Sequence, residues 1–301
     1  MTSPWDGSRN ILGPSDLDEM EVLSSHLFSV GVPVRADPEF KAFVFAAAAA
    51  HSLGNRTVDS HLRRKRDALI ESFAAPPATR RGRLAALLGD VRECAEHRIA
   101  QLSNACLEDA AVGLRTAANT LIRLESTFRA ASQLIRLGFA FEAEAVIRLG
   151  FEQVAWAQAI ADATSPEDIQ ATPVKRTVQR LQSFLPDAGR IYNRLSDLAH
   201  MAPSTHARFL GADRAQRTTI GIQLPEATLE SIEHLIVLLD VLLQVSDLRF
   251  AAFGLPAHSF DPATRSTLPT RPALKLTQRL AEERQAPADP KPWIDELFRA
   301  W

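Results

Sequence analysis

Apolar residues recur along this chain at three- and four-residue spacing and almost nowhere in strict alternation, the pattern of amphipathic helices rather than of half-buried strands. Residues 16–29 read as a first helix, which Gly31, Val32 and Pro33 end. Asp37 followed by Pro38 supplies a capping side chain and a first-turn proline, predicting a helix over 38–52 with five consecutive alanines. Thr57 caps a third helix through Phe73, and Pro76-Pro77 closes that region. A long helical stretch then reaches Leu137, with Gly89 and Gly113 as candidate breaks and Gly138 as the left-handed residue that ends it. The next helix covers 139–163 and pairs with the preceding one as a helical hairpin, because short loops join antiparallel neighbours.

A loop over 164–173 leads to a helix over 174–184, and Leu185-Pro186 breaks the chain. A helix over 187–201 is stopped by Pro203, and 203–224 reads as irregular. The last long helix, 225–253, is apolar almost all round from Leu235 to Leu243, so it is expected to be buried. From Gly254 onward come seven of the 18 prolines, in a tail expected to run over the surface. Its end, 292–301, has the spacing of a short amphipathic helix carrying Trp293, Ile294, Leu297, Phe298 and Trp301. The fold class is all-α: a helical bundle over 76–253, an N-terminal helical region over 1–75 and a Pro-rich tail over 254–301.

Composition narrows the function classes. With 34 basic against 36 acidic residues and a net charge of -2, no global attraction to nucleic acid exists. Arginines nonetheless cluster at Arg63, Arg64 and Arg66, at Arg80, Arg81 and Arg83, and along Arg115, Arg123, Arg129 and Arg136, as phosphate binding or a solvated face requires. The longest apolar runs, 43–50 and 235–245, are too short to span a bilayer. Acidic residues at Asp6, Asp16 and Asp18 stand where a signal peptide carries positive charge, so a cytoplasmic protein without membrane partners is expected. The two cysteines, Cys94 and Cys106, fit no metal spacing. Glu93 with His97, and Glu230 with His234, are four residues apart, whereas helical di-iron sites use Glu-x-x-His at three. No metal or cofactor is expected, and no Gly-rich phosphate loop or nucleophile elbow is present.

Two segments carry candidate chemistry. In the segment 191–200, Tyr192, Ser196 and His200 share one helical face, and Asp197 lies three residues before His200. In the arm 142–152, Glu144, Arg148 and Glu152 follow one another at one-turn spacing on an otherwise apolar helix, a row that reads either as a buried ion network or as exposed i, i+4 pairs. Polar seams between helices look the same, since buried polar groups are ordinarily hydrogen-bonded to one another.

Arg194 followed by His200 near the end of a helix resembles the HEPN superfamily (higher eukaryotes and prokaryotes nucleotide-binding domains), and the Leu134, Gly138, Glu144-Ala145, Arg148, Glu152 series with the later Tyr192, Leu195, Ser196, His200 series looks more specifically like a group of HEPN-like bacterial proteins of unknown function, over roughly residues 110–253. The resemblance implies a helical bundle, often a homodimer, in which Arg and His of two subunits meet and cleave RNA without a metal, the ribose 2′-hydroxyl being the nucleophile. Arg194 would hold the scissile phosphate and His200 would transfer protons, with Arg148, Glu152, Tyr192, Ser196 and Asp197 as a supporting cluster. Two features depart from that pattern. Leu195 stands where catalytic motifs carry a polar residue. Six positions at about 100° each also turn Arg194 and His200 away from a common point on one straight helix. The alternative is a non-catalytic helical binding or interaction module in which the same cluster fixes packing or a ligand.

Overall fold

The structure is a computed structural model, and it describes residues 20–24, 29–33, 36–54, 57–74, 80–174, 177–199, 210–212, 218–220 and 225–286. The chain falls into two units, Leu84–Gln285 and a smaller one from the residues on either side of it. The chain is all-α in character, with three short antiparallel hairpins among the described residues.

In the smaller unit the helix expected over 16–29 is a correction. Its described part is strand β1 (Met20–Ser24), paired with β2 (Ser29–Pro33) so that Leu23 faces Val30 across the ladder. The physical reason lies in the side chains: Val22, Val30 and Val32 are β-branched and favour extended backbone. Leu23 and Val32 then bury in one apolar cluster with Ala42, Phe45, Ala49 and Leu69. Helix α1 (Pro38–Leu53) starts as its sequence requires, with the Asp37 carboxylate accepting from the Glu39 amide at 2.7 Å. Ala46 and Ala49 are fully buried, and small side chains on that face let α2 (Val58–Ala74) pack closely.

The larger unit follows α3 (Arg80–Ser103), which belongs to it from Leu84 on. Gly89 does not interrupt α3; the long stretch breaks instead at residues 104–111, before α4 (Val112–Ile122) and α5 (Leu124–Leu137). Gly113 sits at the start of α4, where its amide donates to the Ala163 carbonyl at 3.1 Å and a side chain would strike that backbone. Gly138 ends α5 at φ 87°, in the left-handed region. Helix α6 (Ala140–Ile160) is the central element and packs against α4, α5, α8 and α9. Short α7 (Pro166–Ala171) and a 3-10 turn at Val178–Ser183 occupy the segments read as a loop and a helix. Helix α8 is Ala188–Ala199. The region read as irregular contains strands β3 (Leu210–Ala212) and β4 (Thr218–Ile220).

Helix α9 (Pro225–Phe250) is buried along Leu235, Leu238, Leu239, Leu242 and Val245, as its apolar pattern demands. The two polar residues in that run are paired: Gln244 Nε2 donates to Asp240 at 2.9 Å, and Arg271 lies 3.4 Å from the same oxygen. Burial pushes the Asp240 carboxyl above its ordinary pKa. Past Gly254 the chain is not all surface tail. A β5–β6 hairpin (Phe260–Asp261 with Ser266–Thr267) and helix α10 (Pro272–Gln285) put Phe260, Ala273, Leu276 and Leu280 into the main core. The amphipathic segment 292–301 lies outside the described residues.

A buried ion pair fastens this returning segment. Arg98 of α3 donates to Asp247 of α9 at 2.6 Å, both side chains being fully enclosed. The other Asp247 oxygen accepts three successive backbone amides, those of His258, Ser259 and Phe260, at 3.0, 2.6 and 2.9 Å. Arg98 also holds the Pro256 carbonyl and Gln101 at 3.0 Å each. One carboxylate thereby ties two helices to the loop that feeds the hairpin.

Candidate functional site

Helix α6 carries the row that its sequence spacing anticipates. Glu144, Arg148 and Glu152 stand one turn apart, and all three are buried or half-buried rather than an exposed stripe. Gly150 permits this arrangement, because a Cβ there would lie 2.5 Å from Leu238 on α9 and 3.1 Å from Thr127 on α5. The backbone of α6 therefore approaches α9 closely, and polar side chains flanking the contact meet across it.

At one end of the row, α8 supplies Tyr192, whose hydroxyl donates to Glu152 at 2.5 Å. Arg148 donates to the same Glu152 oxygen at 3.2 Å, and its guanidinium lies 5.5 Å from the centre of the Tyr192 ring. Burial lowers the Arg148 pKa, but Tyr192 and Glu152 outweigh it, so the net direction is upward. Of the supporting cluster, the structure brings together Arg148, Glu152 and Tyr192. Ser196 is half-buried on α8, and Asp197 is exposed.

At the other end, α9 supplies two residues that sequence spacing did not bring to the site. Ser231 donates to Glu144 at 2.6 Å and lies 3.2 Å from the Ala140 carbonyl. His234 Nδ1 meets both Glu144 oxygens, at 3.0 and 2.8 Å. A carboxylate only accepts, so the hydrogen of the neutral ring belongs on Nδ1 and the lone pair on Nε2. The available signal was the run of polar residues Glu230, Ser231 and His234 opening an apolar helix; as a metal pair it has the wrong spacing, but as partners for a carboxylate it is well placed.

Arg194 belongs to the outer face of α8. Leu195 and Leu198 turn inward, Leu195 being wholly buried, while the Arg194 side chain is 57% exposed and pairs with Glu230 on α9, which is 16% exposed. Its partner Glu230 lies one helical turn before His234 on α9, and Arg194 does not join Arg148, Glu152 and Tyr192. His200, the other expected catalytic residue, lies outside the described residues.

Four of the clustered arginines are engaged with acids and carbonyls. Arg66 pairs with Glu39, Arg129 with Glu125 at 2.9 Å and Glu96 at 3.3 Å, Arg136 with the Ala85 carbonyl and Arg115 with the Glu108 carbonyl. Among the described residues no group of three His, Cys, Asp or Glu is arranged to hold a metal ion, and no helix is long and apolar enough to cross a membrane. No family model matches the chain, and neither does any curated protein or solved structure.

Proposed function

We propose that this chain is a HEPN-like helical protein acting as a metal-independent ribonuclease, with Arg194 on the scissile phosphate and His200 in proton transfer. The observation that carries this reading is the setting of Arg194. Inward Leu195 and Leu198, with the Tyr192–Glu152 hydrogen bond, fix α8 so that the Arg194 guanidinium faces outward. Its partner Glu230 is only 16% exposed, and a phosphate would compete with that carboxylate for the outward-facing guanidinium. Six positions on one straight helix would turn Arg194 and His200 apart, which calls for a second copy to complete the site; the reading is of a homodimer acting on RNA, cytoplasmic and in a toxin or phage-defence role.

Metal-free incubation with a labelled single-stranded RNA, beside Arg194→Ala and His200→Ala, tests it. The expected product carries a 2′,3′-cyclic phosphate end, and both variants lose cleavage. A His200→Ala protein that cleaves at the wild-type rate would remove the assignment. The second reading is a non-catalytic binding or interaction module. It draws support from the complete burial of Leu195 where catalytic motifs are polar, and from the way Arg148, Glu152 and Tyr192 satisfy one another. On that reading all three proteins are equally inactive on RNA and His200→Ala lowers the melting temperature.

A further inference from the structure

Two histidines meet where the returning segment is fastened to α3. His97 stands on the exposed face of α3, and His258 sits half-buried in the strap of chain over residues 256–259. Their rings meet edge to face, with 6.1 Å between centres and 75° between planes. The Gln101 side chain, one turn after His97, joins them. Its Oε1 lies 3.2 Å from His258 Nε2, and its Nε2 lies 3.0 Å from His97 Nε2. Arg98 decides which end of this amide is which. A guanidinium only donates, and Arg98 contacts Gln101 Oε1 at 3.0 Å, so the oxygen belongs there and the amide cannot turn over. His258 therefore donates from Nε2, and His97 accepts at Nε2 with its hydrogen on Nδ1.

Added protons strain this arrangement at both rings. A proton on His97 Nε2 sets an N–H against the Gln101 amide N–H, donor against donor, and Arg98 denies the amide its other orientation. A proton on His258 Nδ1 keeps the bond to Gln101 but places a cation beside the enclosed Arg98 guanidinium. The groups facing His258 are Arg98 and His97 from α3, which oppose a charge on the ring, and Asp247 from α9, which favours it. Around His97 on α3 lie Asp90, Glu93, Cys94 and Glu96; Asp90 is paired with Arg279 of α10, and Glu96 with Arg92 and Arg129.

We infer that His97, Gln101 and His258 form a proton-operated latch on the strap over residues 256–259. With both rings neutral the latch is closed. Arg98 then holds the Pro256 carbonyl, and Asp247 holds the His258 and Ser259 amides. Acidification through the histidine range opens it, because a solvated His258 binds a proton more readily than one enclosed beside Arg98. The opening is local: Phe260 remains packed on Phe184, and Leu276 and Leu280 keep α10 in the core.

Amide hydrogen exchange of the full-length protein, read by NMR as protection factors that remove the intrinsic effect of pH, tests the latch. Between about pH 7.5 and about pH 5.5 the protection of the His258 and Ser259 amides is expected to fall about 10-fold or more, while that of α6 holds. The double variant His97→Gln, His258→Gln is expected to lose this response. A fall of the same size in that variant overturns the inference, and so does an equal fall along α6 in the wild type, which reports global unfolding. The tautomers need no variant. Nitrogen-15 spectra of the wild-type rings at about pH 7.5 are expected to show hydrogen on Nδ1 of His97 and on Nε2 of His258. Hydrogen on Nε2 of His97 overturns the latch.

Discussion

Asp247 shows how much a single side chain can organise. Its carboxylate neutralises a fully enclosed arginine and takes three consecutive amides of the loop after Gly254. Asp247→Asn leaves Arg98 charged and unpaired in the interior, and breaking such a pair costs about 3–5 kcal/mol. Urea unfolding followed by circular dichroism measures it, and a loss below about 1 kcal/mol would mean the loop is held by other contacts. His258 lies beside this pair. Burial, helped by the nearby Arg98 guanidinium and His97 and opposed by Asp247, lowers its pKa below the ordinary 6.5. The unfolded chain therefore binds more protons than the folded one just below pH 6.5, so the stability from neutral His258 is complete above that pH and lost as pH falls through the folded-state value. The melting temperature is expected to drop between about pH 7 and about pH 5, and to drop less in His258→Gln. Equal slopes in the two proteins would dismiss this account.

At the scale of elements, α6 is the helix on which the others depend. Gly150 lets α9 and α5 close on it, and the Leu238 side chain occupies the space where a Cβ would stand. Gly150→Ala is expected to destabilise by about 1–3 kcal/mol through overpacking, despite the better helix propensity of alanine. Adding Leu238→Ala creates room, so thermal denaturation of the double variant is expected to show less than the sum of the single effects; additive effects would place the strain elsewhere. Helix α8 is held by fewer ties. Tyr192→Phe removes the hydroxyl that donates to Glu152 and leaves the carboxylate with the Arg148 hydrogen bond among the described residues of the site. A loss of about 1–2 kcal/mol is expected, together with faster amide exchange along α8. Unchanged exchange there would show that Leu195 and Leu198 alone position the helix.

On the scale of the whole molecule, each unit has an apolar cluster of its own. The one in the larger unit runs from Leu87 to Leu280, and the one in the smaller unit gathers Leu23, Val32, Ala42, Phe45, Ala49 and Leu69. A chain of typical domain size with a separate core folds by itself. The segment Leu84–Gln285, expressed alone, is therefore expected to be helical and to melt in one cooperative transition. A fragment without cooperative melting would show that the remaining residues are needed for this core. The return of the chain through β5, β6 and α10 also explains why the segment past Gly254 belongs to this unit: Leu276 and Leu280 close the core over α9.

The amino-acid sequence alone determined the helical class, the cap at Asp37, the left-handed stop at Gly138 and the burial of α9, because each follows from local backbone chemistry or from periodicity along one helix. It also set Glu144, Arg148 and Glu152 in a row. It misled over β1 and β2, where five-residue strands are too short to outweigh a helical composition and the decisive term is burial of Leu23 and Val32 against α1. It also left unrecognised the helix α10, which begins among prolines yet carries Ala273, Leu276 and Leu280 at helical spacing. What only the tertiary structure decided is the pairing of distant residues: Tyr192 with Glu152, Arg194 with Glu230, His234 and Ser231 with Glu144, and Arg98 with Asp247. The reason is physical: a helix fixes which residues share its face, but a charge or a hydroxyl finds its partner only when packing brings a second helix within hydrogen-bond reach.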